Sequence, residues 1–159
     1  MNLRENNLKK VSLFSPQSII LISTNFPEFI RNPKGIDSLF SWILRTFNQQ
    51  LSQAKWHFHH IRDEMGPYSI ISIPTGPEIV KKLCVDLEFS EPITGLLNID
   101  VFDRKLKRIK RKQLNLPERS CFLCDKPASV CLHDQSHNAV EITNRVNSLI
   151  DFAARSNVL

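Results

Sequence analysis

Leu96-Leu97-Asn98-Ile99-Asp100-Val101-Phe102 alternates with a period of two, Leu97, Ile99 and Val101 on one side and Asn98, Asp100 and Phe102 on the other. Such a strand buries one face and presents polar groups on the other, the habit of an antiparallel sheet covered by helices. Upstream, Lys82 to Phe89 alternates in the same way, with Leu83, Val85, Leu87 and Phe89 opposite Cys84, Asp86 and Glu88. This pattern predicts a second strand. Paired with the first, it sets Asp86 and Glu88 beside Asn98 and Asp100 on the face away from the core. Carboxylates two apart on a strand project together and suit a hard cation such as Mg²⁺, which in turn suits phosphoryl or nucleotidyl transfer. The plainer reading is an ordinary solvent-facing side of a sheet.

The flanking segments complete an α+β pattern, a mostly antiparallel sheet with packed helices. Ser18 to Ser23 is a short apolar run and reads as a buried strand. Asn32-Pro33-Lys34-Gly35 is turn chemistry, and Ile36, Leu39, Phe40, Ile43, Leu44, Phe47 and Leu51 then recur at offsets of three and four, an amphipathic helix. Trp56 to Ile61 alternates, Gly66-Pro67 predicts a turn, and Ser69 to Ile73 is apolar and β-branched. Ser90 to Gly95 reads as a loop. Val140, Ile142, Val146, Leu149, Ile150 and Ala153 have the spacing of a C-terminal helix.

With 159 residues, the chain has room for one ordinary domain. Lys and Arg number 21 against 16 Asp and Glu, a formal net charge of +5. Seven of those cations lie between Arg104 and Lys112, and the remainder of the chain is slightly acidic. One basic strip on an otherwise balanced protein argues against a general nucleic-acid coat. It reads either as a solvated hairpin or edge strand, or as a dock for phosphates or an acidic partner. No run approaches the ~20 apolar residues of a membrane span, and the start lacks the pattern of a secretory signal. A cytoplasmic protein is expected.

Two further clusters carry metal-ligating side chains. Cys121-x2-Cys124-x6-Cys131-x5-His137 offers three thiols and an imidazole, a set compatible with Zn²⁺, with packed free thiols as the alternative. His57 and His59 share a strand face, either as a metal pair or as exposed or hydrogen-bonded histidines.

Between about Gly66 and His137 the residues Asp86-Leu87-Glu88, Pro92, Asn98-Ile99-Asp100-Val101, Arg111, Leu116-Pro117, Arg119, Cys121-x-Leu123-Cys124, Ala128, Val130-Cys131 and His137 form a specific combination. It resembles the citrate lyase holo-acyl-carrier-protein synthases, also called apo-citrate lyase phosphoribosyl-dephospho-CoA transferases. The resemblance implies a single transferase domain over 1–159, with a Cys/His loop at about 117–138, and an analogy to the nucleotidyltransferase fold. It also implies attack by a serine of the acyl-carrier (gamma) subunit of citrate lyase on triphosphoribosyl-dephospho-CoA, with release of diphosphate. In that reaction Asp100, Asn98, Glu88 and Asp86 are the catalytic candidates, with Asp100 and Glu88 holding Mg²⁺. Arg111, Arg119, Lys81 and His137 contact substrate, and Cys121, Cys124, Cys131 and His137 form a structural or zinc-binding loop. Asn98 stands where the family carries the first aspartate of its D-x-D strand. That departure keeps open a relative that binds an acyl carrier or nucleotide without turnover; a small metal-binding adaptor is the third reading.

Overall fold

A computed structural model describes residues 2–30, 32–51 and 57–157. Its elements run α1 (Leu3–Ser12), β1 (Ser18–Thr24), α2 (Ile36–Gln50), β2 (His57–Asp63), β3 (Gly66–Ile73), α3 (Pro77–Ser90), β4 (Leu97–Asp103), α4 (Ala128–Asp134) and α5 (Ala139–Ser156). Short 3₁₀ turns cover Pro92–Leu96 and Arg111–Leu114. The four strands form one antiparallel sheet in the order β2-β3-β1-β4, as an α+β reading requires. This strand order by itself does not assign the sheet to the nucleotidyltransferase class.

The sheet's two faces are covered unequally. On one, Ile20, Ile22, Ile71, Ile73, Leu97, Ile99 and Val101 meet the apolar stripes of α2, α3 and α5 in the main core. Leu39, Phe40, Ile43 and Phe47 of α2 lie at helical spacing and are almost wholly buried, so truncating any of them to Ala would cost about 2–5 kcal/mol. Gly35 starts α2 at φ +86°, and a Cβ there would meet Ile150 of α5 at 2.8 Å, so the turn admits little but glycine. The opposite face carries a smaller cluster, Ile19, Tyr68 and Ile70 under Leu8 and Val11 of α1. Sequence periodicity does not reveal α1, because this mostly polar helix buries only those two residues.

Three expectations are corrected. Lys82 to Phe89 is not a strand but the last two turns of α3. Pro77, fitted to the first turn, opens the helix. Val80, Cys84 and Leu87 then face the core at offsets of four and three, a helical stripe that happens to overlap an alternating run. The turn placed at Gly66-Pro67 falls instead at Glu64-Met65, and Gly66, at φ +109°, begins β3. The loop placed at Ser90–Gly95 is largely the 3₁₀ turn. Trp56, the start of the third alternating stretch, lies outside the described residues; the rest of that stretch is β2.

One clamp ties α1 to the β2–β3 hairpin. Arg4 donates to both carboxylate oxygens of Asp63, at 2.6 and 2.9 Å, and its guanidinium lies 4.7 Å from the Tyr68 ring centre. The hydrogen bond from Arg4 holds the Asp63 carboxyl below its ordinary value of 3.8. A carboxyl depressed by folding adds stability above its unfolded pKa and loses it as pH falls through the folded value. Arg4→Met is therefore expected to lower urea stability by about 1–3 kcal/mol at pH 7, and the deficit should shrink toward pH 2. An equal deficit at both pH values would contradict the clamp.

Candidate functional site

β4 is an edge strand, so its polar face and free edge are open to whatever the following chain lays beside them. That chain is the basic strip. Asp103 accepts the backbone N–H groups of Lys105 and Lys107 and turns the chain back, and Ile109 donates its N–H to the Val101 carbonyl. Arg108 thereby lies opposite Phe102, and its guanidinium meets the Asp100 carboxylate at 2.5 Å. The strip is thus a hairpin arm against the sheet edge, with most of its lysines in solvent.

Asn98, two residues before Asp100, is held from both sides. Its Nδ2 donates to the Thr24 carbonyl at 3.4 Å, and its Oδ1 accepts from Arg119 at 3.2 Å. The other terminal nitrogen of Arg119 donates to the carbonyls of Thr94, Gly95 and Leu97 at 3.0, 3.1 and 2.6 Å. This guanidinium therefore closes the 3₁₀ turn that leads into β4. Both terminal nitrogens are engaged inside the protein. Gly95 allows the close approach, since a Cβ there would lie 2.3 Å from that of Phe122.

Across the strand, α3 supplies Glu88 and Lys81. Glu88, with only 8% of its side chain exposed, is ion-paired with Arg111, which also donates to the Pro117 carbonyl at 3.1 Å. Lys81 is 5% exposed and makes no hydrogen bond or ion pair among the described residues; its Nζ keeps contact with solvent, since no buried side-chain nitrogen or oxygen there lacks a partner. Its ammonium pKa is lowered chiefly by burial, with Cys84 and Asp100 opposing the change and Arg111 and Arg108 adding to it. Burial also lowers the pKa values of Arg111 and Arg119, and Arg119 is itself felt by Arg111. These cations lie within one another's fields.

The structure does not assemble the four predicted acidic and amide groups on one face. Because α3 is a helix, Asp86 and Glu88 point roughly 200° apart. Asp86 is exposed beside Gln50, Lys82 and Ser90, away from β4. Among the described residues, the one group of three or more His, Cys, Asp or Glu side chains with converging ligand atoms contains no carboxylate. Of the predicted carboxylates, Asp100 is the one on β4 beside Asn98. A single carboxylate supplemented by substrate phosphates fits the few protein ligands that Mg²⁺ commonly takes.

The converging group is Cys121, Cys124, Cys131 and His137, whose ligand atoms all lie within 4.8 Å of one another. Cys121 Sγ is 3.5 Å from His137 Nε2, and Cys124 Sγ is 3.4 Å from Cys131 Sγ. A hydrogen bond from the Lys126 backbone, aided by Cys131, draws the Cys124 pKa down to about 7, while burial pushes Cys131 up to about 11. His57 and His59 are exposed on β2 and belong to no such group among the described residues.

Two clefts flank the arm that carries these cysteines. One, of about 290 Å³, lies between Glu88, Thr94, Arg111, Arg119 and Phe122. A more open one, of about 690 Å³, lies between Arg111, Lys112, Leu116, Arg119 and Ser129. Arg111 and Arg119 form the shared wall; Asp100 and Lys81 line neither cleft. Sequence reasoning singled out neither Arg108 nor Phe122. Arg108 is hidden in a run of like charges, and its pairing depends on hairpin register. Phe122 has only its place between two cysteines as a signal.

The family model for apo-citrate lyase phosphoribosyl-dephospho-CoA transferase matches residues 2–152. Proteins of that name from Escherichia coli O139:H28 (strain E24377A / ETEC) and Escherichia coli O8 (strain IAI1) are each 32% identical over 93 residues. A third, from Shigella boydii serotype 18, is 31% identical over 93 residues. In each case the alignment covers 58% of this chain and 51% of the relative, so the chain matches about half the length of these curated relatives. The match does not favour the adaptor reading.

The geometry makes Arg119 a structural pin. Lys lacks the planar fork that reaches several acceptors, so Arg119→Lys is expected to lower unfolding free energy by about 2–4 kcal/mol. A loss below about 0.5 kcal/mol, the usual size of a neutral surface change, would show that the carbonyls do not need it.

Proposed function

Because this chain belongs to the apo-citrate lyase phosphoribosyl-dephospho-CoA transferase family, we propose that it attaches the prosthetic group of citrate lyase. The donor is triphosphoribosyl-dephospho-CoA and the acceptor a serine on the acyl-carrier subunit. The serine oxygen gives up its proton, which passes to bulk water, and bonds to the α-phosphorus; the bond from the α-phosphorus to the bridging oxygen breaks, and diphosphate leaves with that oxygen. Such a transfer gains mainly from positioning and from fixed positive charge where negative charge develops.

One observation carries the reading: Lys81 of α3, which makes no ion pair among the described residues, lies in the fields of Arg111 and Arg108 beside β4, with Asp100 as the opposing carboxylate. With Arg119, these cations outnumber Asp100 and Glu88 by four to two, and a polyphosphate supplies the missing counter-charge. Lys81, Arg108 and Arg111 are the phosphate-facing residues in this account. Arg119 is a positioning residue, and Glu88 orients Arg111. Mg²⁺ held through Asp100, beside the Asn98 amide, would neutralise triphosphate charge and favour the diphosphate as leaving group. The cytoplasm suits the reaction, because the four cysteines are unpaired thiols. No helix among the described residues is long and apolar enough to cross a membrane.

Incubation of the apo-carrier with the triphosphoribosyl donor and Mg²⁺ should raise the carrier's mass by one phosphoribosyl-dephospho-CoA unit. Asp100→Asn should slow this at least roughly 10²-fold, the scale of losing one electrostatic contact in a transition state. No mass gain at any enzyme concentration would refute the transfer, and an undiminished rate in the variant would refute the role of Asp100.

A further inference from the structure

We propose that Cys121, Cys124, Cys131 and His137 bind one structural Zn²⁺ that staples the arm carrying Arg111 and Arg119 to α4 and to the start of α5. The donor types are three soft sulfurs and an imidazole, a set that selects zinc over magnesium or calcium. Their placement is tetrahedral in scale. Zinc–ligand bonds of about 2.0–2.3 Å put ligand atoms roughly 3.5–3.8 Å apart. Here the closest pairs are 3.4 and 3.5 Å apart, and all four atoms fall within 4.8 Å.

The local backbone is built to match. Arg119 accepts the N–H of Ala128 and Cys121 donates to the Lys126 carbonyl, both at 2.8 Å, so residues 119–128 form a tight hairpin with Cys121 and Cys124 at its tip. Within that tip the Leu123 N–H points to Cys121 Sγ at 3.4 Å, the kind of contact that stabilises a metal-bound thiolate. Cys131 comes from α4 and His137 from the residue before the Asn138 cap of α5. The four ligands therefore join three consecutive pieces of chain that share little apolar core. Zn²⁺ displaces three thiol protons, and the neutral imidazole keeps its second nitrogen protonated, so the bound centre carries one net negative charge. Arg145, which donates to the Phe122 carbonyl at 3.1 Å, lies on the adjoining cleft wall and offsets part of it.

The consequence for the site is mechanical. Phe122 sits between two ligands and packs directly on Gly95, whose carbonyl Arg119 holds. Fixing the knuckle fixes both contacts. The metal is thus a tether for the phosphate-facing wall, and it touches no reacting atom. This inference does not rest on the transfer reading, because metal content is measured without any carrier or donor.

Full-length protein purified without chelators under reducing conditions should contain about one equivalent of zinc by elemental analysis. Cobalt substitution should give the visible bands of a tetrahedral thiolate site. His137→Cys, which keeps a four-ligand set, should retain the metal; His137→Ala should weaken affinity at least tenfold; His133→Ala, at an exposed position on α4, should change nothing. Metal removal should raise amide exchange across 119–138 and leave the sheet protected. Zinc below a tenth of an equivalent after reconstitution would overturn the proposal. So would iron in place of zinc, a Cys124–Cys131 disulfide in protein kept under reductant, or affinity indifferent to His137→Ala. Unchanged exchange over 119–138 would overturn the tether.

Discussion

Uncompensated positive charge along the free edge of β4 is the constraint that organises the functional end of this molecule. Lys81, Arg108, Arg111 and Arg119 act on one another there, while Asp100 and Glu88 each answer one guanidinium. Arg119 is balanced by carbonyl dipoles, while Lys81 makes no ion pair among the described residues and feels an Asp100 carboxylate that Arg108 already engages, which leaves a costly surplus of positive charge. Proteins tolerate such a cost where a ligand removes it. The sheet makes the arrangement possible, because an edge strand with one polar face accepts a returning basic arm on one flank and a helix on the other.

Rigidity at this edge comes from a chain of small contacts. Arg119 ties the hairpin of 119–128 to the turn before β4, Phe122 presses against Gly95, and Arg145 of α5 reaches back to the Phe122 carbonyl. α5 in turn packs on α2, where Ile150 limits Gly35 to glycine. The wall that holds Arg111 and Arg119 is therefore referenced to the main core through α5, although the arm itself buries little apart from Cys131 and Ile109.

Much of this was legible from residue order. The alternation of Leu97, Ile99 and Val101 and the three-four spacing of α2 survive because each buries one face, and burial leaves a periodic trace. The cysteine spacing was equally plain, and so was the family pattern from Asp86 to His137. Reading α3 failed for a definite reason: Leu83, Val85, Leu87 and Phe89 mimic a strand. The deciding evidence was Pro77 and the earlier Val80, outside the alternating window. Glu88 was accordingly given to Asp100 as a co-ligand, whereas its partner is Arg111, 23 residues away. Pairings of that range depend on how the arm folds back, which no local pattern records. The same holds for Arg108 among its six basic neighbours in the strip, and for the lack of an ion pair at Lys81, a property of packing alone.

The direct test is a calorimetric titration of inorganic triphosphate into the wild-type protein and into Lys81→Met. Lys81 makes no ion pair among the described residues, so an apolar chain of similar length should leave the fold as stable or more so. If fixed charge at the β4 edge recognises polyphosphate, the wild type binds in a salt-dependent manner and the variant binds at least tenfold more weakly despite that stability. Equal affinity in the two proteins, or no binding to either at low ionic strength, would contradict the account.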